Sequence, residues 1–199
     1  MVVICAIIII ASGFKVMART LIIVSLTAIA LITAFLFSES YRLERVMSFL
    51  DPEADIQGGN WQPTQSLYAI GSGGLLGRGI GQSRQKYLWL PEAQNDFVFA
   101  VFAEEFGFAG AMIVVGLFGF LIIRGITIAL KCKDLYGMLL ATGIIGMFAF
   151  QILVNIAVVT KFMPTTGMPL PFFSSGGTSL VINLAAMGIV LNISRNTVK

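Results

Sequence analysis

Glu92 and Asp96 lie in the polar segment Leu90-Pro91-Glu92-Ala93-Gln94-Asn95-Asp96, directly ahead of a long apolar run that opens at Phe97. A carboxylate at the mouth of a bilayer is costly to bury and well placed to act on a lipid-borne substrate, which makes Asp96 a candidate general base. A helix N-terminus at that point would keep the carboxylate ionised, while apolar neighbours would raise its pKa toward values useful to a base. The structural alternative is that Asn95 or Asp96 simply caps the helix beginning at Phe97. Glu92 is either a second acid or a partner for Arg84 or Lys86.

Cations gather in the same region. Arg42 and Arg45, spaced to share a helix face, either snorkel to the interface and meet headgroups or clamp a diphosphate. Arg78, Arg84 and Lys86 add positive charge that suits an anionic leaving group. Between them runs Gly71-Ser72-Gly73-Gly74-Leu75-Leu76-Gly77-Arg78-Gly79-Ile80-Gly81. No strand precedes it and no Gly-Lys-Ser/Thr follows, so it is not a nucleotide loop; it is a tight chain path or a backbone cradle for a lipid pyrophosphate. Lys161 to Ser179 is too rich in Pro and Gly for continuous helix. There Ser174, Ser175, Gly176 and Gly177 either present N–H groups to an anion or belong to a re-entrant turn that closes the bundle. Glu104 and Glu105, inside the apolar run, read as the upper end of a helix rather than the lining of a cavity.

Some chemistry is excluded. The chain has no histidine, which removes Ser-His-Asp and Cys-His nucleophilic sites and His-based metal centres. Cys5 and Cys132 have neither metal-ligand spacing nor a disulfide framework and read as structural. No metal ligand set and no cofactor are identified, and a divalent-cation requirement is left open.

The elements that must position these groups are apolar helices. With 57% hydrophobic and 12% charged residues and a mean hydropathy of +0.89, the 199-residue chain cannot hide its apolar surface from water, so lipid is part of its solvent. The expected fold is all-α, a polytopic helical bundle forming one integral-membrane domain over residues 1–199, with about five transmembrane segments. The segments are Val2 to Phe14, Thr20 to Phe37, Phe97 to Leu130, Tyr136 to Val159 and Ser179 to Ile193. Val2 to Phe14 is short for a span and reads as the remainder of a helix, which leads us to expect a fragment or a mis-assigned start. Phe97 to Leu130 exceeds one bilayer crossing, so part of it projects or tilts. Lys15 and Arg19, then Arg124, Lys131 and Lys133, then Arg195 and Lys199 fall on one side if the spans alternate, and the positive-inside rule makes that side cytoplasmic. The loop of residues 38–96 and the shorter one from Lys161 to Ser175 are then extracytoplasmic, and the C-terminus is cytoplasmic. Within the long loop, Gln65 to Ile70 is expected to form a short helix lying on the membrane.

These pieces together resemble the SEDS family of shape, elongation, division and sporulation proteins (RodA, FtsW and SpoVE). The matching residues are Tyr41-Arg42-Leu43-Glu44-Arg45 with Phe49-Leu50-Asp51-Pro52, Gln62 with Gln65-Ser66-Leu67, and Ala69 to Leu75. Gly77 to Ser83, Lys86, Leu90-Pro91-Glu92-Ala93, Asp96 to Ala100 and Glu104-Glu105-Phe106-Gly107 continue the match. Met163-Pro164-Thr165-Thr166-Gly167, Pro169 to Phe172 and Ser174-Ser175-Gly176-Gly177 complete it. The sporulation and division branches are the most similar. Gln94-Asn95 stands where His-Thr or Gln-Thr is common, and Ser175 where Tyr is frequent; neither departure removes a carboxylate.

The resemblance implies a bacterial cytoplasmic-membrane peptidoglycan glycosyltransferase of about ten transmembrane helices, polymerising lipid II at the outer face. This chain would correspond to roughly the last five, without the helices that complete the cavity, so activity of the chain alone is in question. Asp96 falls on the family's extracytoplasmic aspartate as the general base. Arg42, Arg45, Lys86, Glu92, Gln65, Ser174, Gly176 and Gly177 are the expected substrate-binding positions. The implied partners are lipid II, membrane lipids and a class B penicillin-binding protein, with no nucleic acid. Two other classes remain open: a lipid II transporter or flippase, and a non-catalytic scaffold for that transpeptidase. Transporters more often place ionisable groups near the midplane, whereas the acids here cluster in the outer loop.

Overall fold

The computed structural model describes residues 45, 47–49, 60–85 and 95–197. The first two expected spans, and Arg42, Lys86 and Glu92, lie outside the described residues. Four helices carry the architecture, and among the described residues there is no strand.

Helix α1 (Trp61–Gly73) follows an N-cap at Asn60 and holds Pro63 in its first turn, where a missing N–H removes no helical bond. It is longer than the expected Gln65 to Ile70. Nor does it simply lie on a membrane surface: Ser66, Ala69 and Gly73 recur at helical spacing on its buried side and pack against α2. Their small size is what allows the approach, because a β-carbon on Gly73 would collide with the backbone of Ala103. The N-terminal end of α1 is tied down by Asn60 Nδ2, which donates to the Ser48 carbonyl, and by Ser66 Oγ, which donates to the Val159 carbonyl at 2.5 Å.

Helices α2 (Val98–Lys131), α3 (Leu135–Val159) and α4 (Gly177–Thr197) are each long and apolar enough to cross a membrane. Their bounds agree with the expected spans to within a few residues. The core sits among α1, α2 and α3, where Phe97, Phe99, Phe118, Phe148 and Ile152 are buried. Helix α4 packs more sparsely against α2 and α3.

At one end of the bundle a tight turn joins α2 to α3. Asp134 caps α3 by accepting from the Gly137 N–H at 3.0 Å, an interaction typically worth about 1 kcal/mol. Lys131, Lys133 and Arg195 lie at this end. Helix α1, Asp96 and the connection 160–176 lie at the other.

Candidate functional site at the acidic end of the bundle

The 34 residues of α2 would extend about 51 Å as one straight helix, against roughly 30 Å of hydrocarbon. The surplus is accommodated by a break at Gly107, whose φ of 70° and ψ of −172° are not helical. Breaking a helix orphans N–H and C=O groups, which must find partners away from water. The glycine-rich chain after α1 supplies them. The N–H groups of Phe108 and Ala109 donate to the carbonyls of Gly74 and Leu75 at 2.8 and 3.1 Å. In return, the N–H groups of Arg78 and Gly79 donate to the carbonyls of Glu104 and Glu105 at 3.0 and 3.1 Å. Residues 74–79 are thus spliced into the helix. Both Gly77 and Gly107 have positive φ, and a β-carbon on either would strike the backbone of the other segment. The glycine-rich run is therefore a tight chain path.

Glu104 lies beside this splice and is fully buried. Its carboxylate accepts from Ser83 Oγ at 2.6 Å, Ser72 Oγ at 3.3 Å, and the N–H groups of Arg84 and Gln85 at 3.2 and 3.4 Å. Arg78 stands 3.6 Å away as its ionic partner. Glu104 is more than the upper end of a helix: it gathers residues 72–85 onto α2.

Asp96 occupies the turn that leads into α2. The N-cap position itself belongs to Phe97, one residue beyond Asp96. The buried Phe97 side chain anchors the turn. Facing it is the connection between α3 and α4. That connection begins with Lys161 in the left-handed region, while Phe162 N–H bonds back to the Ala157 carbonyl at 2.7 Å in the manner of a Schellman stop. Lys161 Nζ also donates to Thr64 Oγ1 of α1 at 3.2 Å. Further along, Phe172 stacks on Phe148 and Phe173 meets Phe102 edge-on, which holds the connection against the bundle.

Side chains then stitch the two segments together. Ser174 Oγ accepts from the Leu170 N–H at 2.8 Å and donates to the Asn95 carbonyl at 2.5 Å, and Ser175 Oγ donates to Asn95 Oδ1 at 2.7 Å. Asn155, from within α3, donates through Nδ2 to the carbonyls of Asp96 and Met168, both at 2.8 Å. A β-carbon on Gly167 would lie 3.7 Å from Asp96 Oδ2, so the carboxylate looks onto a bare stretch of backbone. Arg45 donates to the Thr165 carbonyl at 2.9 Å. Burial lowers its pKa from the ordinary value, and the negative charge of Asp96 opposes that shift.

Of the residues expected to form the site, Arg45, Asp96 and Ser174 are brought to one junction. Gln65 is buried in the first turns of α1, between Thr64 and Ser66, which bind the end of α3. Gly176 and Gly177 sit at the start of α4, where the Gly176 carbonyl accepts from the Leu180 N–H at 2.9 Å. Asn155 was not among the expected residues. Its signal in the sequence is an amide in a largely apolar helix, a costly choice unless its donors are used.

Among the described residues, three helices long and apolar enough to cross a membrane, with a carboxylate, a guanidinium and hydroxyls collected at one end, define a polytopic membrane protein with a polar junction at the bundle mouth. The model of the FtsW, RodA and SpoVE family, described as cell cycle proteins, matches residues 1–199, and the chain belongs to that family. It is 49% identical over 158 residues to the stage V sporulation protein E of Bacillus subtilis (strain 168), covering 79% of this chain and 43% of that protein. It is 43% identical over 169 residues to a protein of Trichlorobacter lovleyi named probable peptidoglycan glycosyltransferase FtsW, covering 85% of this chain and 44% of the relative. The chain thus spans less than half the length of these two relatives.

Among solved structures, one chain of a peptidoglycan synthase complex described as coordinating polymerization and crosslinking superposes with a TM-score of 0.71 at 32% identity, covering 98% of this chain and 54% of that one. The rod shape determining protein RodA of Thermus thermophilus superposes with a TM-score of 0.55 at 31% identity, covering 99% of this chain and 64% of that one.

Proposed function

We propose that this chain supplies the aspartate-bearing part of a peptidoglycan glycosyltransferase that polymerises lipid II at the outer face of the bacterial cytoplasmic membrane. The observation that carries this reading is the setting of Asp96. It stands at the entry of a membrane-spanning helix, its carboxylate beside Gly167 and within electrostatic reach of Arg45. Lys131, Lys133 and Arg195 lie at the opposite end, and the tendency of basic residues to stay cytoplasmic turns Asp96 outward.

In the proposed reaction Asp96 takes the proton of the GlcNAc 4-hydroxyl of the incoming lipid II as that oxygen attacks the MurNAc anomeric carbon of the growing strand. The bond from that carbon to the diphosphate breaks, and undecaprenyl diphosphate leaves with its electron pair. One displacement inverts the anomeric centre and needs no glycosyl–enzyme intermediate. Arg45, with Arg42 and Lys86, screens the charge on the leaving group. Gln65, Glu92 and the segment from Ser174 to Gly177 complete the substrate surface. A class B penicillin-binding protein is the proposed partner, a reading supported by the likeness to a chain of a peptidoglycan synthase complex.

The test is polymerisation of lipid II in liposomes by this chain, joined to the N-terminal half of the Bacillus subtilis relative and paired with its transpeptidase. Wild type and Asp96→Asn are compared, with the 199-residue chain alone alongside. Loss of glycan strands in the variant, with partner binding intact, is expected. Undiminished polymer from Asp96→Asn would remove the general base and favour a transporter or a scaffold.

A further inference from the structure

We propose that Asn155 is a positioning residue for Asp96, its side-chain amide clamping the aspartate's own carbonyl to the facing connection at Met168. The inference rests on the reading of Asp96 as the base and adds what holds that base in place.

Asn155 is 1% exposed in a largely apolar helix, and its Nδ2 reaches two carbonyls from separate segments, Asp96 and Met168, at 2.8 Å each. Both partners can only accept, so chemistry settles the orientation of the amide: nitrogen toward the carbonyls, oxygen away. The consequence is that Asn155 Oδ1 is buried without a hydrogen-bond partner. A side chain chosen for stability alone would not leave that atom unsatisfied in an apolar helix. The two N–H bonds of a primary amide are what the position supplies, and neither a hydroxyl nor an apolar isostere delivers both.

Ser174 performs the companion task. Its hydroxyl takes the Leu170 N–H and gives its hydrogen to the carbonyl of Asn95, the residue before Asp96. Two consecutive carbonyls are thereby held by α3 and by the α3–α4 connection, which fixes the peptide plane from which the Asp96 side chain departs. Both clamps act on the main chain and neither uses the carboxylate itself. For a base that must meet a hydroxyl in line with an anomeric carbon, a displacement of about 1 Å can cost on the order of 100-fold in rate.

The experiment measures lipid II polymerisation in liposomes by the same completed complex, carrying Asn155→Leu, Ser174→Ala or Asp96→Asn. Lipid II binding stoichiometry is recorded for each variant, so that kcat is expressed per binding site. We expect Asn155→Leu to lower kcat per site by roughly 10- to 100-fold and Ser174→Ala by a smaller factor, both with KM for lipid II little changed. A KM that rises with kcat unchanged would make these residues substrate ligands and overturn the proposal. So would unaltered kcat in both variants, or loss of lipid II binding in both, which would assign Asn155 and Ser174 to folding. If Asp96→Asn polymerises normally, the failure lies with the base itself, not with its positioning.

Discussion

Asp96 and Glu104 are carboxylates carried by the same stretch of chain, one just ahead of α2 and one inside it, and the fold surrounds them differently. Glu104 is fully buried, and its oxygen atoms are taken up by two serine hydroxyls, two backbone N–H groups and the Arg78 guanidinium. At Asp96 it is the backbone that is held, through the Asp96 carbonyl, while the carboxylate faces Gly167. A carboxylate whose acceptor sites are filled by the protein organises structure. At Asp96 the bond across to α3 runs through the main chain instead. Local hydrogen bonding, not residue type, separates the two settings.

The contrast is open to direct attack, and the largest effect is expected at Asp96. Asp96→Asn is expected to lower lipid II polymerisation by about 10²- to 10⁴-fold while the thermal midpoint of the purified chain stays unchanged. A large drop in that midpoint would put Asp96 in the same structural class as Glu104.

At Glu104 the expected loss is one of stability. Glu104→Leu removes the carboxylate to which the Ser83 hydroxyl and the N–H groups of Arg84 and Gln85 donate. The cost should be about 3–5 kcal/mol, read from denaturant unfolding of the chain in detergent. Unfolding indistinguishable from wild type would dissolve the distinction drawn here.

Gly107→Ala tests the splice beneath both residues. The substitution adds a side chain at positive φ and against the backbone of Gly77 and Leu75, so a cost of roughly 1–3 kcal/mol from strain alone is expected, with faster proteolysis within residues 74–79. Protection equal to wild type would show that the loop does not depend on the break.

The smallest effect is expected at Arg78. Its side chain is 38% exposed and its ion pair with Glu104 spans 3.6 Å, so after solvent screening Arg78→Gln should cost less than about 1 kcal/mol, and less still at high salt. A larger, salt-independent loss would mean that the pair is part of the buried network and not its rim.

Much of this was legible in the chain itself. The three described spans follow from uninterrupted apolar length, and their ends fall where Asp134, Pro164 and the Gly176-Gly177 pair interrupt it. Asp96 stood out because a charged group beside an apolar run is rare and expensive, and Arg45 because its spacing from Arg42 puts both on one helix face. The break at Gly107 did not stand out, since a glycine in an apolar helix reads equally as close packing. Asn155 did not stand out in its largely apolar helix, and Glu104 looked like a helix end. Each depends on partners distant in the chain: Ser72 and Ser83 for Glu104, Asp96 for Asn155.

The sequence by itself determined that lipid is part of this protein's solvent, where the helices cross it, and which polar residues lie at their mouths, because hydrophobic length and the cost of burying charge are local properties. Only the tertiary structure decided which donors gather on the Glu104 carboxylate and which clamp the Asp96 carbonyl, because that depends on which groups arrive from elsewhere in the chain. Hydrogen bonds reach about 3 Å, and no spacing along a sequence reveals which atoms folding brings within that distance.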